Sequence, residues 1–201
     1  PAKGRLPFIM TAEGRGRLFG SGLVDGPLPE HYEPWESPVH NALSSTQNNP
    51  VIAIWAREIQ QRGDPGRFPI VATTYRLSEH WQAGQMTRNH PWLVELQPQP
   101  FAEIGEELAD DIGVKSGDRV NVITARGSVE VVAVVTKRFR RMTIGGKPID
   151  HVGVPWHWGY MGLSKGLSPN GSSGNILTPH VGDANTTIPE YKTFLCKVEK
   201  A

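Results

Sequence analysis

Cysteine is almost missing from this sequence, and the scarcity rules out several kinds of chemistry at once. Cys196 is the only one among 201 residues, so no internal disulfide can form. No Cys-x-x-Cys pair exists to hold zinc or an iron–sulfur cluster. Set in "YKTFLCKVEK" and alternating with charged neighbours, Cys196 reads as a strand residue facing the core rather than a reactive thiol. The seven histidines are scattered, with none in an HxxxH-type pair, which argues against a dedicated protein metal site. An excess of either charge is also lacking: Lys and Arg number 21 against 20 for Asp and Glu, a net charge of +1. Such a balance gives no electrostatic case for nucleic acid or an anionic membrane surface. There is no apolar run long enough to span a bilayer and no secretory h-region. The chain opens at Pro1 rather than Met, and we expect further sequence upstream.

What is abundant is Gly, at 22, and Pro, at 17, a composition that suits a β-rich chain with many connecting loops. Residues 1–50 are broken by Gly or Pro every few positions, so neither a helical nor a strand period is sustained. The segment nevertheless carries Phe8, Leu18, Phe19, Tyr32 and Trp35, which are costly to leave in water. An extended arm wrapping over a larger body fits better than a disordered tail. "NPVIAIWAREIQQRGDPG" adds a short helix or strand–helix piece closed by Gly63 and Pro65. We therefore divide the chain into an arm and linker, 1–66, which packs on the rest of a larger subunit, and a domain, 67–201.

The domain has a clear texture. Residues 68–74 are apolar and β-branched. Residues 102–104 form a short strand, followed by a helix with Glu106 and Glu107 in its first turn and Leu108, Ala109 and Ile112 on its apolar face. Gly113 ends that helix. Val120, Val122 and Thr124 alternate with polar residues, "ARG" reverses the chain, and residues 129–135 return. "VGVPWHW" and "TFLCKVEK" supply further strands. Short strands with one inserted helix point to a closed β-barrel that leaves no sheet edge open.

Three segments carry residues that packing alone does not require: "TTYRLSEHW", "PWHWGY" and "GNILTPHVGDANTTIPEYK". Each sits at or beside a strand end, where loops on a rigid scaffold present ligand contacts. Arg76 and Lys192 offer fixed positive charge for phosphate. Thr74, Thr178, Thr186 and Thr187 offer hydroxyls. Asn175, Asp183, Asn185 and Gln82 can read the edge of a heterocycle, while Trp81, Trp158 and Tyr191 give flat faces and His80 a further donor. This set suits a large phosphorylated heterocyclic ligand. It does not suit bond breaking, because no nucleophile–base pair or clustered carboxylates can be read from it. Plainer readings stand beside this one. Trp156 and Trp158 can equally be barrel core, with His157 facing the other way. Glu79 can be a surface charge, the sequon matches at 170–172 and 185–187 arise readily by chance, and "SPNGSSG" reads as a loop rather than a phosphate cradle.

"FPIVATTYRLSEHW", "GVKSGDRVNVITARGSVEVVAVVTKR", "VGVPWHWGY" and "NILTPHVGDANTTIPEYKTFLCKVEKA" together resemble the C-terminal domain of respiratory, periplasm-facing formate dehydrogenase catalytic subunits. These enzymes belong to the molybdopterin oxidoreductase (DMSO reductase-like) family. The arm "LPFIMTAEGRGRLFG" and "DGPLPEHYEPWESP" is similar to the segment preceding that domain, so the resemblance covers nearly the whole chain.

The resemblance implies a mainly β fold with small helices, a double-psi β-barrel preceded by an extended irregular arm. It implies a bis(molybdopterin guanine dinucleotide) carrying molybdenum or tungsten, with [4Fe–4S] clusters elsewhere in the enzyme. By matching motif, Thr74, Arg76, Leu77, His80 and Gln82 would line the first contact loop, and Trp158 would lie beside the cofactor. Asn175, Tyr191 and Lys192 would close over it, with Thr187 and Glu190 nearby. That grouping requires Arg76, His80 and Lys192 to face one crevice. The implied partners are the remainder of the catalytic subunit and an iron–sulfur electron-transfer subunit, in the periplasm, with no nucleic acid and no direct membrane insertion.

The family's metal-ligating Cys or selenocysteine, its neighbouring catalytic His and Arg, and its cluster-binding Cys motif are not found in these residues. The 201-residue chain by itself is therefore expected not to oxidise formate, even with cofactor supplied. "WQAGQMTRNHPWLVELQPQPF" varies most among relatives, and no residue is carried over from it. Two other readings stay open: the same barrel in another family oxidoreductase such as a nitrate reductase, and a freestanding β-barrel binding module without catalysis.

Overall fold

The computed structural model describes residues 22–26, 28, 30–55, 57, 59, 61–159 and 173–201. Phe8, Leu18 and Phe19 of the arm, Tyr160, and the sequon at 170–172 with most of "SPNGSSG" lie outside the described residues.

Alternation builds the strands. In β2, Ile70–Tyr75, the residues Ile70, Ala72 and Thr74 turn inward while Val71, Thr73 and Tyr75 are only half-buried. β4, Arg119–Ile123, buries Val120 and Val122, and β5, Ser128–Thr136, buries Val129, Val131 and Ala133. Between them Thr124 accepts the chain back, its amide donating to the Gly127 carbonyl at 2.9 Å. β3, Phe101–Gly105, runs directly into helix α2, Glu106–Ile112, whose first turn carries Glu106 and Glu107. Gly113 closes α2 in the left-handed conformation at φ +67°, its amide turned back to the carbonyls of Ala109 and Asp110. β8 is His151–Pro155 and β10 is Phe194–Lys200.

These six strands close in the order β10-β2-β8-β3-β5-β4. Two neighbouring pairs, β2 with β8 and β3 with β5, are parallel, and the other four are antiparallel. This mixed, closed barrel is the fold class the sequence led us to expect. Its interior is filled by Ala72, Ile104, Val120, Val122, Val131, Val152 and Phe194, all inaccessible to solvent. Cys196 is among the core residues, and burial pushes its thiol well above the ordinary range.

Three features depart from the sequence expectation. The strand read as "VGVPWHW" stops at Pro155, because proline has no amide hydrogen to continue the ladder. A hairpin absent from that reading joins β6, Met142–Ile144, to β7, Lys147–Ile149, through Gly145 and Gly146 at φ +57° and +78°. Such a pair of positive φ angles is what a tight two-residue hairpin turn demands. A short helix α1, Pro91–Leu96, lies between β2 and β3 and buries none of its residues.

The described part of the arm lies on the barrel. Its strand β1, Ala53–Ile54, pairs antiparallel with β9, Val181–Gly182, and Trp55 stacks on His180 with ring centroids 4.1 Å apart. Glu36 is completely buried and meets Arg126 at 2.6 Å. No described helix is long and apolar enough to cross a membrane.

Candidate functional site

β2 and β8 run side by side and end together, Tyr75 opposite Pro155. Beyond that rung both chains leave the sheet, and the segment 189–192 comes in beside them. Thr74, the last inward residue of β2, donates its hydroxyl to the Tyr191 carbonyl at 2.7 Å. Lys192 returns the contact, its ammonium donating to the Thr74 carbonyl at 2.5 Å. Together with Arg76, Trp156, Asn175 and Pro189, these residues line a crevice of about 280 Å³.

No carboxylate among the described residues lines the crevice. Among the described residues Arg76 makes no ion pair, and its guanidinium rests over the Trp156 ring, 5.1 Å from the centroid. Partial burial of the Lys192 ammonium, and secondarily the charge of Arg76, hold its pKa below the usual lysine value. Two neighbouring cations, with hydrogen-bonding side chains around them and a flat indole beside Arg76, form a receptor for an anion. Phosphate with an attached heterocycle fits that donor set. The volume suits one ring system or a phosphate group, and a whole dinucleotide would run beyond it along the rim.

Of the residues singled out from sequence, Thr74, Arg76, Asn175, Tyr191 and Lys192 share this crevice. The others are placed differently. His80 is buried rather than displayed: its Nε2 donates to the Gln97 carbonyl at 2.7 Å, and its Nδ1 pairs with the Thr87 hydroxyl at 3.2 Å. Of Arg76, His80 and Lys192, the two cations line one crevice, while the His80 ring faces Thr87 and Gln97 in the interior of the loop behind them. Trp158 is wholly buried with its edge against His80, ring centroids 5.4 Å apart, and its indole nitrogen meets no hydrogen-bond partner among the described residues. Thr187 sits in an exposed turn at φ +56°, its hydroxyl donating to the Thr186 carbonyl. Glu190 turns away from the crevice, where its carboxylate accepts the Trp35 amide at 3.0 Å. Burial raises its pKa, and the nearby Glu36 adds to the shift.

Leu77 and Gln82 present backbone rather than side chain to their surroundings. The Leu77 amide donates to Nε2 of His157 at 2.7 Å, and Nδ1 of His157 donates to the Gln82 carbonyl at 2.5 Å. Gln82 takes φ +48° to make this possible. Burial keeps the His157 pKa low. The Gln82 carbonyl opposes that shift, His80 and Arg76 reinforce it, and Glu79 opposes it.

Two crevice residues escaped the sequence reading. Trp156 reads together with Trp158 as possible barrel core, a pairing by alternation that fails because the strand has already ended at Pro155. Pro189 carries no chemical signal of its own. A wider and more open concavity, about 740 Å³, lies between residues 37–47, residues 62–65 and the β6–β7 hairpin, and brings basic and acidic groups together without a common focus. Among the described residues, no three His, Cys, Asp or Glu side chains converge as a metal site.

Residues 70–195 match the family described as molydopterin dinucleotide binding domain. The chain is 48% identical over 200 residues to formate dehydrogenase subunit alpha of Megalodesulfovibrio gigas, a stretch that is 99% of this chain and 19% of that protein. It is 46% identical over 203 residues to the formate dehydrogenase-O major subunit of Escherichia coli K12, covering all of this chain and again 19% of the relative. The chain thus spans about a fifth of the length of these relatives. Acetylene hydratase from Pelobacter acetylenicus superposes with a TM-score of 0.59 over 87% of this chain and 21% of its own, at 18% identity, a likeness of fold. With the family matched across the barrel and the alpha-subunit likeness running nearly end to end, the chain belongs to the molydopterin dinucleotide binding domain family, in the form carried by formate dehydrogenase major subunits.

Proposed function

We propose that this chain is the cofactor-gripping part of a formate dehydrogenase catalytic subunit, which oxidises formate to CO2 and passes electrons to iron–sulfur clusters outside these residues. The observation that carries the reading is the crevice at the ends of β2 and β8, where Arg76 and Lys192 converge and no carboxylate of the described residues enters the lining. The strong likeness to formate dehydrogenase alpha and major subunits supports the same view. The bound group would be a bis(molybdopterin guanine dinucleotide), whose molybdenum or tungsten supplies the two-electron chemistry.

This chain's own residues bind and orient. Arg76 offers a planar fork to a phosphate and Lys192 a point charge beside it. Trp156 presents a flat face, while Asn175 and Tyr191 read polar edges. Thr74 locks the Tyr191 segment in place, and Leu77 and Gln82 shape the loop behind Arg76. His80 and Trp158 support that loop from beneath, and Thr187 and Glu190 tie the 183–190 segment to itself and to the arm. Such contacts tune a metal through its ligand's surroundings rather than by proton transfer. The remainder of the subunit would supply the metal's ligands, and an iron–sulfur subunit would receive the electrons, in the periplasm.

The test uses the complete catalytic subunit containing these residues. Arg76→Ala combined with Lys192→Ala removes two charge-assisted contacts. It should weaken retention of the pterin dinucleotide by about a hundredfold, at about 1.5 kcal/mol or more for each contact. Pterin and guanine nucleotide released on denaturation, per polypeptide, measure the effect. A double variant that keeps its full complement through extensive dialysis overturns the reading.

A further inference from the structure

The parallel ladder between β2 and β8 ends with Tyr75 opposite Pro155, yet the pairing of the two chains does not stop there. Side chains continue it. One residue on, the Arg76 guanidinium lies over Trp156. One residue further, the Leu77 amide donates to the His157 ring. The same ring reaches across the base of the following loop to the Gln82 carbonyl. His157 therefore closes the 77–82 loop at both ends, its ring accepting the Leu77 amide beyond the last rung of the ladder and donating to the Gln82 carbonyl.

The chemistry of its two partners fixes the state of the ring. A carbonyl at Nδ1 demands a hydrogen there, and an amide N–H at Nε2 demands a lone pair there. The arrangement needs the neutral imidazole in one tautomer, and the ring is fully buried, where that form is favoured. The backbone of His157 presses on the loop as well. At Gly84 a Cβ would stand 2.2 Å from the His157 carbonyl oxygen, so the loop's far end is seated directly against it. Gln82 holds a left-handed backbone between these two contacts, a conformation that persists only where its surroundings impose it.

From this geometry we infer that His157 is a positioning residue: it holds the 76–82 loop in the shape that turns Arg76 onto the crevice, and so sets the grip on the dinucleotide without touching it. The inference rests on reading the crevice as the dinucleotide grip. A core histidine that merely fills space would be replaceable by any ring of similar size, and one that acts through its two hydrogen bonds would not. His157→Phe keeps the ring and loses both bonds. His157→Gln gives up the ring but retains one donor and one acceptor.

The experiment uses the complete catalytic subunit with its partner subunits. Hydrogen–deuterium exchange is followed in peptides spanning 76–84, with β4 and β5 peptides as the measure of an intact barrel, alongside pterin dinucleotide retained after dialysis. In His157→Phe the loop should exchange at least tenfold faster and the dinucleotide should be lost several-fold faster, with β4 and β5 unchanged. His157→Gln should restore both values towards wild type. If the Phe variant does not accumulate, His157→Asn, whose shorter amide reaches Gln82 but not Leu77, should show the same loss against Gln. A Phe variant with wild-type loop exchange or wild-type retention overturns the inference, as does a Gln variant no better than Phe. Retention lost in Arg76→Ala but kept in His157→Phe defeats this inference alone, whereas retention kept in both defeats the reading of the crevice.

Discussion

Replacing Glu36 with alanine is expected to destabilise the folded chain by about 3–5 kcal/mol, the cost of leaving a buried charge without its partner. The Glu36 side chain is 0% exposed and that of Arg126 only 7%. One carboxylate oxygen accepts from Arg126 Nη1 at 2.6 Å and from the Gly63 amide. The other accepts from Arg126 Nη2 at 3.1 Å and from the Leu195 amide at 2.8 Å. Arg126 also donates to the Leu177 and Gln61 carbonyls. One carboxylate thus fastens the arm, the linker, the turn between β4 and β5, and strand β10. Alanine would deprive the Arg126 guanidinium of its carboxylate counter-charge and leave the Gly63 and Leu195 amides without that acceptor in a dry site. That is a far larger loss than an exposed ion pair carries. In urea the unfolding midpoint should fall by about 1 M or more, given slopes of roughly 1–3 kcal/mol per M. Replacing both partners by methionine should cost less than Glu36→Ala alone, because no orphaned charge remains. A Glu36→Ala chain that unfolds at the wild-type midpoint would show that the arm does not sit on the barrel in this way.

Nothing in the sequence around Glu36 announces this role. It lies in "HYEPWESP" among prolines, and its partners stand 27, 90 and 159 positions away. Local pattern reading works where one face of an element meets one core. That is why β4, β5 and α2 with its Gly113 ending were legible to within a residue or so, from alternation and from the one residue type that tolerates a positive φ. The same logic paired Trp156 with Trp158 as possible core, which suits the fully buried Trp158 but not Trp156, which lines the crevice. Period-two reasoning assumes the strand continues, and at Pro155 it does not. The hairpin at Gly145–Gly146 carried a readable turn signal that the surrounding polar residues obscured. The crevice is assembled from residues 74, 76, 156, 175, 189, 191 and 192, and no spacing rule brings those together. Resemblance to a known family, rather than periodicity, left out Trp156 and Pro189 but grouped Thr74, Arg76, Asn175, Tyr191 and Lys192 in advance. It grouped His80 with them as well, although His80's two hydrogen bonds face inward.

Gly84→Ala should produce the other large effect, and for two separable reasons. Gly84 has φ +76°, which costs alanine about 1 kcal/mol. Its new Cβ would also lie 2.2 Å from the His157 carbonyl oxygen and 2.5 Å from Cδ of the buried Arg88. The carbonyl cannot easily retreat, since the same residue is pinned through its ring to Leu77 and Gln82. Gly84 is held from its own side too, its amide donating to the Trp81 carbonyl at 2.8 Å and its carbonyl accepting from Arg88 at 2.9 Å. Forcing an extra carbon into such a contact typically costs about 1–3 kcal/mol more, for a total of about 2–4 kcal/mol. Gly146→Ala is the control: its φ is +78°, and nothing lies within 4 Å of the added Cβ, so it should show the backbone cost alone. Denaturant midpoints of the two variants, read side by side, separate the terms. If Gly84→Ala is no worse than Gly146→Ala, the loop does not press on His157, and the contact that shapes the crevice from behind is absent in solution.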